Sequence, residues 1–208
     1  MKVLIVNGSP HREGNVSVAV NEMKKIFAEE NVETEVIELG IKRIPGCLGC
    51  YACNGLKQCV VSDIVNEAAD IFKDADGLVL ASPVYYASPN GTLISFLDRL
   101  FFSSKFDKRM KVGASIAVAR RGGCSATFDV LNKYFTISGM PVASSQYWNS
   151  VHGCLPGEAA DDAEGLQTIR TLARNMVFLM KSIALGRQAY GLPTVEEPER
   201  TNFIRRNA

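Results

Sequence analysis

Residues 3–17, VLIVNGSPHREGNVS, decide how this chain is read. Val3, Leu4, Ile5 and Val6 form an apolar run of strand character that stops at Asn7-Gly8-Ser9-Pro10. Gly14-Asn15 then opens a helical pattern carried by Val16, Val18, Ala19 and Val20. A strand that passes through a glycine- and hydroxyl-rich loop into a helix N-terminus presents free backbone N–H groups and the positive end of the helix dipole to an anion. Ser9, Asn15 and Ser17 add neutral donors there, and Arg12 a charged one. Taken alone, the segment reads equally well as an ordinary strand-to-helix turn with a capping Ser or Asn.

Absent motifs narrow the anion. No GxxxxGK[ST] places a lysine on a β/γ-phosphate, and no GxGxxG brings backbone against a dinucleotide pyrophosphate. A loop of hydroxyls and amides suits one terminal monophosphate, such as the one FMN carries.

Short apolar runs alternate with helical patterns along the whole chain. The expected strands are Lys2–Asn7, Thr34–Glu38, Gly77–Ser82, Val112–Ala119 and Pro141–Ser145. The expected helices are Asn15–Glu29, Asp63–Asp74, Thr92–Ser103, Ala126–Ser138 and Ala160–Ala184. Such alternation implies βαβ units, right-handed crossovers and an α/β fold on a parallel sheet. Ligands then sit at the carboxyl ends of the strands, near the point where strand order reverses. At 208 residues the chain suits one such domain, expected over 1–185, followed by an extended arm over 186–208. The arm, PTVEEP at its centre, is expected either to fray or to pack on a partner subunit.

A net charge of +1 argues against a nucleic-acid or membrane partner bound by bulk electrostatics. No run approaches the length of a membrane span, and the N-terminus enters a strand with no secretory pattern, so a cytoplasmic location is expected. The six cysteines are accordingly expected as thiols, metal ligands or redox centres.

Two further loops at expected strand ends bear on the ligand. Ser82-Pro83-Val84-Tyr85-Tyr86-Ala87-Ser88-Pro89-Asn90-Gly91 is stiffened by two prolines and carries two tyrosines able to cover an apolar ring. Arg120-Arg121-Gly122-Gly123 allows close backbone approach and offers charge. On the segments NGSPHREGN, SPVYYASPNGTLISFLDRL and ARRGG the chain resembles the NADPH-dependent FMN reductase family of flavodoxin-like proteins, over nearly its whole length. That resemblance implies a flavodoxin-like, doubly wound five-stranded parallel sheet of order 2-1-3-4-5, helices on both faces, and non-covalent FMN. It implies that Ser9, Arg12, Asn15, Val16 and Ser17 cradle the phosphate. Pro83, Val84, Tyr85 and Tyr86 with Arg121, Gly122 and Gly123 would hold the isoalloxazine. Val16 stands where the family commonly has a hydroxyl residue, so one side-chain donor is lost. The family also implies a homodimer or homotetramer whose flavin sites are completed across an interface.

Cys47-x2-Cys50-x2-Cys53-x5-Cys59 is the second strong feature. Four soft thiolates within thirteen residues can wrap one zinc ion or one iron–sulfur cubane. The compact spacing suits [4Fe–4S] better, since zinc sites usually come as two separated pairs. The segment resembles the motif of iron–sulfur flavoproteins within the same fold family, in which cluster and flavin exchange electrons. Thiols packed near a flavin remain the alternative. Cys124 and Cys154 read as bystanders.

The two histidines, His11 and His152, carry no catalytic pattern, and hydride transfer needs stacking, alignment and dryness more than an acid or base. Tyr147 and Trp148 are placed to shape a pocket or to pack. The reading is an FMN oxidoreductase that takes hydride from NAD(P)H and passes electrons to a quinone, free flavin or other small acceptor. The alternative is an iron–sulfur flavoprotein electron carrier working with a ferredoxin-like donor. A more distant third is a sensor in which FMN is structural.

Overall fold

A computed structural model describes residues 1–199. Its elements run β1 (Lys2–Asn7), α1 (Asn15–Glu29), β2 (Glu33–Glu38), α2 (Cys53–Leu56), α3 (Ile64–Asp74), β3 (Gly77–Tyr85), β4 (Ser88–Pro89), α4 (Gly91–Ser103), β5 (Val112–Ala119), α5 (Cys124–Thr136), β6 (Ser150–His152), a 3-10 turn (Glu158–Asp161) and α6 (Ala163–Tyr190). Five strands pair in parallel in the order β2-β1-β3-β5-β6, while β4 folds back on β3 as a short antiparallel hairpin. With β4 set aside as that hairpin, this is the expected doubly wound, flavodoxin-like order.

The apolar runs explain the layering. Every residue of β5 is buried, as is Val3–Asn7 of β1, because helices cover both faces of the sheet. On one face Val3, Ile5, Val79 and Ile116 pack with α1 and α6 through Met23, Phe27, Leu172 and Met176. On the other, Leu4, Leu78 and Leu80 pack with α3, α4 and α5 through Phe72, Phe96, Leu97 and Phe135. The strand periodicity of two sends alternate residues of β1 to opposite cores.

The fifth strand is not where the apolar pattern placed it. Pro141–Ser145 makes only an isolated bridge, Val142 to Gly113, and the terminal strand is Ser150–His152 against Ala117–Ala119. Between the two, buried Asn149 accepts the Ala117 amide on its carbonyl at 3.0 Å and adds its side chain to the pairing. Its Nδ2 donates to the Ser115 carbonyl at 3.0 Å, and its Oδ1 accepts from the Ser145 hydroxyl at 2.6 Å. The chain therefore leaves the sheet over the mostly exposed residues 144–148 and rejoins it at Ser150, opposite Ala117. Helix α6 also runs to Tyr190, past the expected end at 184, so extended backbone begins at Gly191 instead of 186. The outer part of the expected arm, 200–208, lies outside the described residues.

Candidate functional site

At the carboxyl ends of the strands a cleft of about 290 Å³ is lined from four segments. Ser9, His11, Gly14, Asn15 and Val16 come from the loop after β1, and Pro83, Val84 and Tyr85 from the end of β3. Val118, Ala119 and Arg120 come from the end of β5, and Gly153, Cys154 and Pro156 from the loop after β6. Order reverses between β1 and β3, so the first two segments flank the switch point.

The loop after β1 is built around Asn7. Its Oδ1 accepts the Ser9 amide at 2.9 Å and its Nδ2 donates to Ser17 Oγ at 3.2 Å. Ser17 Oγ in turn donates to the Arg12 carbonyl at 2.6 Å, and Ser9 Oγ accepts the His11 amide at 3.1 Å. Helix α1 has no side-chain cap at Gly14 and no acidic residue in its first turn, which leaves its leading N–H groups and dipole for an anion. Of the expected phosphate residues, Ser9, Asn15 and Val16 line the cleft. Ser17 faces the interior of the loop and fixes its shape, and Arg12 is exposed outside the lining. Burial pushes the nearby Glu38 carboxyl up, with the Arg12 charge acting against it, and among the described residues Glu38 Oε2 has no hydrogen-bond partner.

The hairpin β3–β4 turns on two residues, Tyr86 and Ala87, both at positive φ (51° and 56°). This two-residue turn with both centres left-handed normally takes Asn-Gly, so a tyrosine there is strained. Tyr85 lines the cleft, whereas Tyr86 projects fully into solvent. Gly123, at φ 93°, lies under this hairpin: a Cβ on it would stand 2.9 Å from both Ala87 Cα and Val84 Cγ1. Of the basic loop, Arg120 reaches the lining, whereas Arg121, Gly122 and Gly123 do not. Gly123 instead lets the hairpin close down.

Against α4, the four cysteines Cys47, Cys50, Cys53 and Cys59 line a separate cavity of about 20 Å³ with Val61, Arg99 and Phe102. Cys47 and Cys50 are exposed and Cys53 is buried. Cys59 is the most firmly held. Asn66 grips its backbone on both sides, at 3.1 Å to the amide and 3.0 Å to the carbonyl. Among the described residues no three Cys, His, Asp or Glu side chains converge closely enough to hold a metal ion. The fit to an iron–sulfur cluster thus rests on donor chemistry, four thiols in one lining that holds neither carboxylate nor imidazole.

Sequence reading missed Arg99, which lines this cavity, and Asp63, which pairs with it at 2.6 Å. A partial signal was present: Asp98 and Arg99 interrupt the mostly apolar LISFLDRLFF helix, and a cation on the packed face of such a helix needs a partner. His152 lies outside the cleft. Its Nε2 is 4.0 Å from Cys124 Sγ, and its Nδ1 is 3.5 Å from Asp162, while burial pushes the Cys124 thiol up.

A family model described as NADPH-dependent FMN reductase matches residues 1–153. An iron-sulfur flavoprotein of Methanocaldococcus jannaschii is 35% identical over 191 residues, covering 88% of this chain and 99% of the relative. Among solved structures, RosB with a bound 8-demethyl-8-formylriboflavin-5′-phosphate superposes at a TM-score of 0.69 and 15% identity, covering 100% of this chain and 95% of that one. A flavodoxin from the domain Archaea gives a TM-score of 0.57 at 16% identity, covering 88% and 99% respectively. At such identities the two structures show the fold alone.

Proposed function

The chain belongs to the NADPH-dependent FMN reductase family, and from that premise we propose that it is an FMN-dependent oxidoreductase whose flavin lies in the cleft between α1 and the β3–β4 hairpin. One observation carries this reading. The uncapped α1 N-terminus, Tyr85 and the end of β5 all open onto a single cavity at the switch point. The α1 amides, Ser9 and the Asn15 carboxamide would bind the phosphate. Pro83, Val84 and Tyr85 would cover the ring, with Arg120 placing positive charge at its edge. Bound FMN supplies a two-electron acceptor for a nicotinamide hydride and can release electrons singly. The chain's own share is alignment and exclusion of water. Electrons would pass to a quinone, free flavin or other small acceptor. Exposed Leu48, Tyr51, Tyr85 and Phe102 support a homo-oligomer that buries them.

A second reading is favoured by the cysteine cavity and by the name of the 35%-identical relative. Cys47, Cys50, Cys53 and Cys59 would hold a [4Fe–4S] cluster, which supplies one-electron transfer, and the protein would carry electrons to or from a ferredoxin-like partner. Anaerobic purification, with iron and sulfide assays and an absorption spectrum, tests both readings. Flavin bands bleached by NAD(P)H without iron would support the reductase alone. About four irons per chain would support the carrier. A chain that takes up no FMN when reconstituted would overturn the first reading.

A further inference from the structure

We propose that Arg99 is the clasp of the four-cysteine loop, and that its Nε–H, aimed at Cys59 Sγ, raises the reduction potential of a cluster held there. The second half rests on the iron–sulfur reading above; the first does not.

Arg99 is 1% exposed, and a guanidinium that deep must satisfy all five of its N–H donors. It does so entirely on the cysteine segment and the residues just beyond it. Nη1 donates to the Pro45 carbonyl at 3.4 Å and to Asp63 Oδ2 at 2.6 Å. Nη2 donates to the Val61 carbonyl at 2.9 Å and to Asp63 Oδ1 at 2.8 Å. The remaining donor, Nε, meets Cys59 Sγ at 3.3 Å.

Pro45 precedes the first cysteine by two residues, and Val61 follows the last by two. One side chain on the rigid α4 thus ties both ends of the segment, and Asp63 anchors the arrangement by also capping α3 at the Val65 amide. A planar fork is required for this, because an ammonium cannot span two carbonyls, a bidentate carboxylate and a sulfur at once.

The electrostatic consequence follows from direction. Asp63 takes up the far side of the guanidinium, so what faces the sulfur is a hydrogen bond from a cation. An electron added to a cluster increases negative charge on its sulfur ligands and strengthens that bond. Hydrogen bonds to ligand sulfur are among the groups that set cluster potentials. Arg99 is a positioning residue in this scheme, since it reaches the redox centre only through Cys59.

The experiment compares wild type, Arg99→Lys, Arg99→Gln and Asn66→Ala, each reconstituted anaerobically with iron and sulfide. Metal content is measured, and the midpoint potential is followed by electron paramagnetic resonance. Amide exchange over 45–61 is recorded on the iron-free chains. Asn66→Ala loosens the Cys59 backbone without touching its sulfur, so its midpoint should match wild type. Arg99→Lys should show a more negative midpoint and faster exchange over 45–61. A wild-type midpoint in Arg99→Lys, or an equal shift in Asn66→Ala, would overturn the role in potential. If Arg99→Lys loads no iron while Asn66→Ala does, the clasp is supported. The midpoint is then read on Arg99→Gln, where a wild-type value again overturns the role in potential. Unchanged exchange in Arg99→Lys would overturn the clasp. A wild-type chain that accepts no iron would overturn the cluster reading and the role in potential together, while exchange still decides the clasp.

Discussion

Asn15 Oδ1 accepts the Ala159 amide at 3.0 Å, joining the first residue of α1 to a 3-10 turn 144 residues downstream. Gly153 makes room for that bond: a Cβ there would stand 2.7 Å from the Ala159 nitrogen and 2.9 Å from Asn15 Cγ. The cleft is thereby closed beside the α1 N-terminus by a contact within the chain itself. No protein acceptor takes Asn15 Nδ2 among the described residues, so that nitrogen is what the side chain offers to a ligand.

Replacing Asn15 by alanine would therefore confuse two effects, and Asn15→Asp separates them. The aspartate keeps an oxygen for the Ala159 amide but loses the donor and puts negative charge at the α1 N-terminus, where a phosphate would be repelled. Thermal stability should stay close to wild type while the FMN dissociation constant rises about tenfold or more, a loss of about 1.4 kcal/mol. Fluorescence titration with FMN reads this directly, and equal affinity would move the phosphate elsewhere.

Gly123→Val should damage the cleft from below. The position has φ 93°, and its new side chain would meet Val84 and Ala87. Strain of this kind costs about 1–3 kcal/mol, and the hairpin can relieve part of it only by lifting Tyr85 away from the cleft. Urea unfolding should show the loss of stability, and flavin affinity should fall with it. Full affinity in a destabilised variant would mean that Tyr85 does not need the hairpin's closed position.

What was legible in the sequence follows from how local each signal is. The βα alternation and the loop after β1 depend on neighbours within a few residues, so periodicity and turn chemistry located them. The terminal strand was misplaced because Pro141–Ser145 has strand composition, while the residue that displaces it, Asn149, acts through a buried side-chain bond to Ser115. Ser17 reads as a ligand donor by type, yet it is consumed by Asn7 and the Arg12 carbonyl within the same loop. Arg99 lies 40 residues from Cys59, and only the packing of α4 against the cysteine segment makes them neighbours. Composition can announce that such a cation needs a partner, but not which one.

Lys108 gives the chain a stability signature in alkaline solution. Burial, helped by the Lys105 and Lys111 charges and opposed by Asp107, pushes its ammonium down from 10.5 to about 8. Between those values the unfolded chain holds the proton that the folded chain has released, so stability rises with pH across that window. Below about pH 8 both states are protonated and the cost of the buried charge is fully present. Lys108→Met lacks this dependence. Wild type should thus gain stability relative to the variant between pH 8 and 10 in urea titrations, on top of a constant offset from the lost bond to the Ser104 carbonyl. A difference that stays flat would show that the ammonium is better solvated than its position implies.

Tyr86 and Ala87 supply the last test, because strain at a turn is a hypothesis of function. Two left-handed non-glycine residues in succession cost roughly 1–2 kcal/mol each relative to a turn that tolerates the geometry, and Asn-Gly is the sequence such a turn prefers. The double replacement Tyr86→Asn with Ala87→Gly should therefore stabilise the domain by about 1–2 kcal/mol, less than the summed strain because the new glycine gains freedom in the unfolded chain. Tyr86 contributes no packing that would offset this gain, since its side chain is fully exposed. If the ring exists to meet an acceptor or a partner subunit over the cleft, the stabilised variant will bind FMN normally yet turn over acceptors more slowly, or lose its oligomeric mass in sedimentation. A variant that is more stable and unchanged in turnover and mass would leave the tyrosine without a role at the cleft and confine the site to Tyr85 and the residues below it.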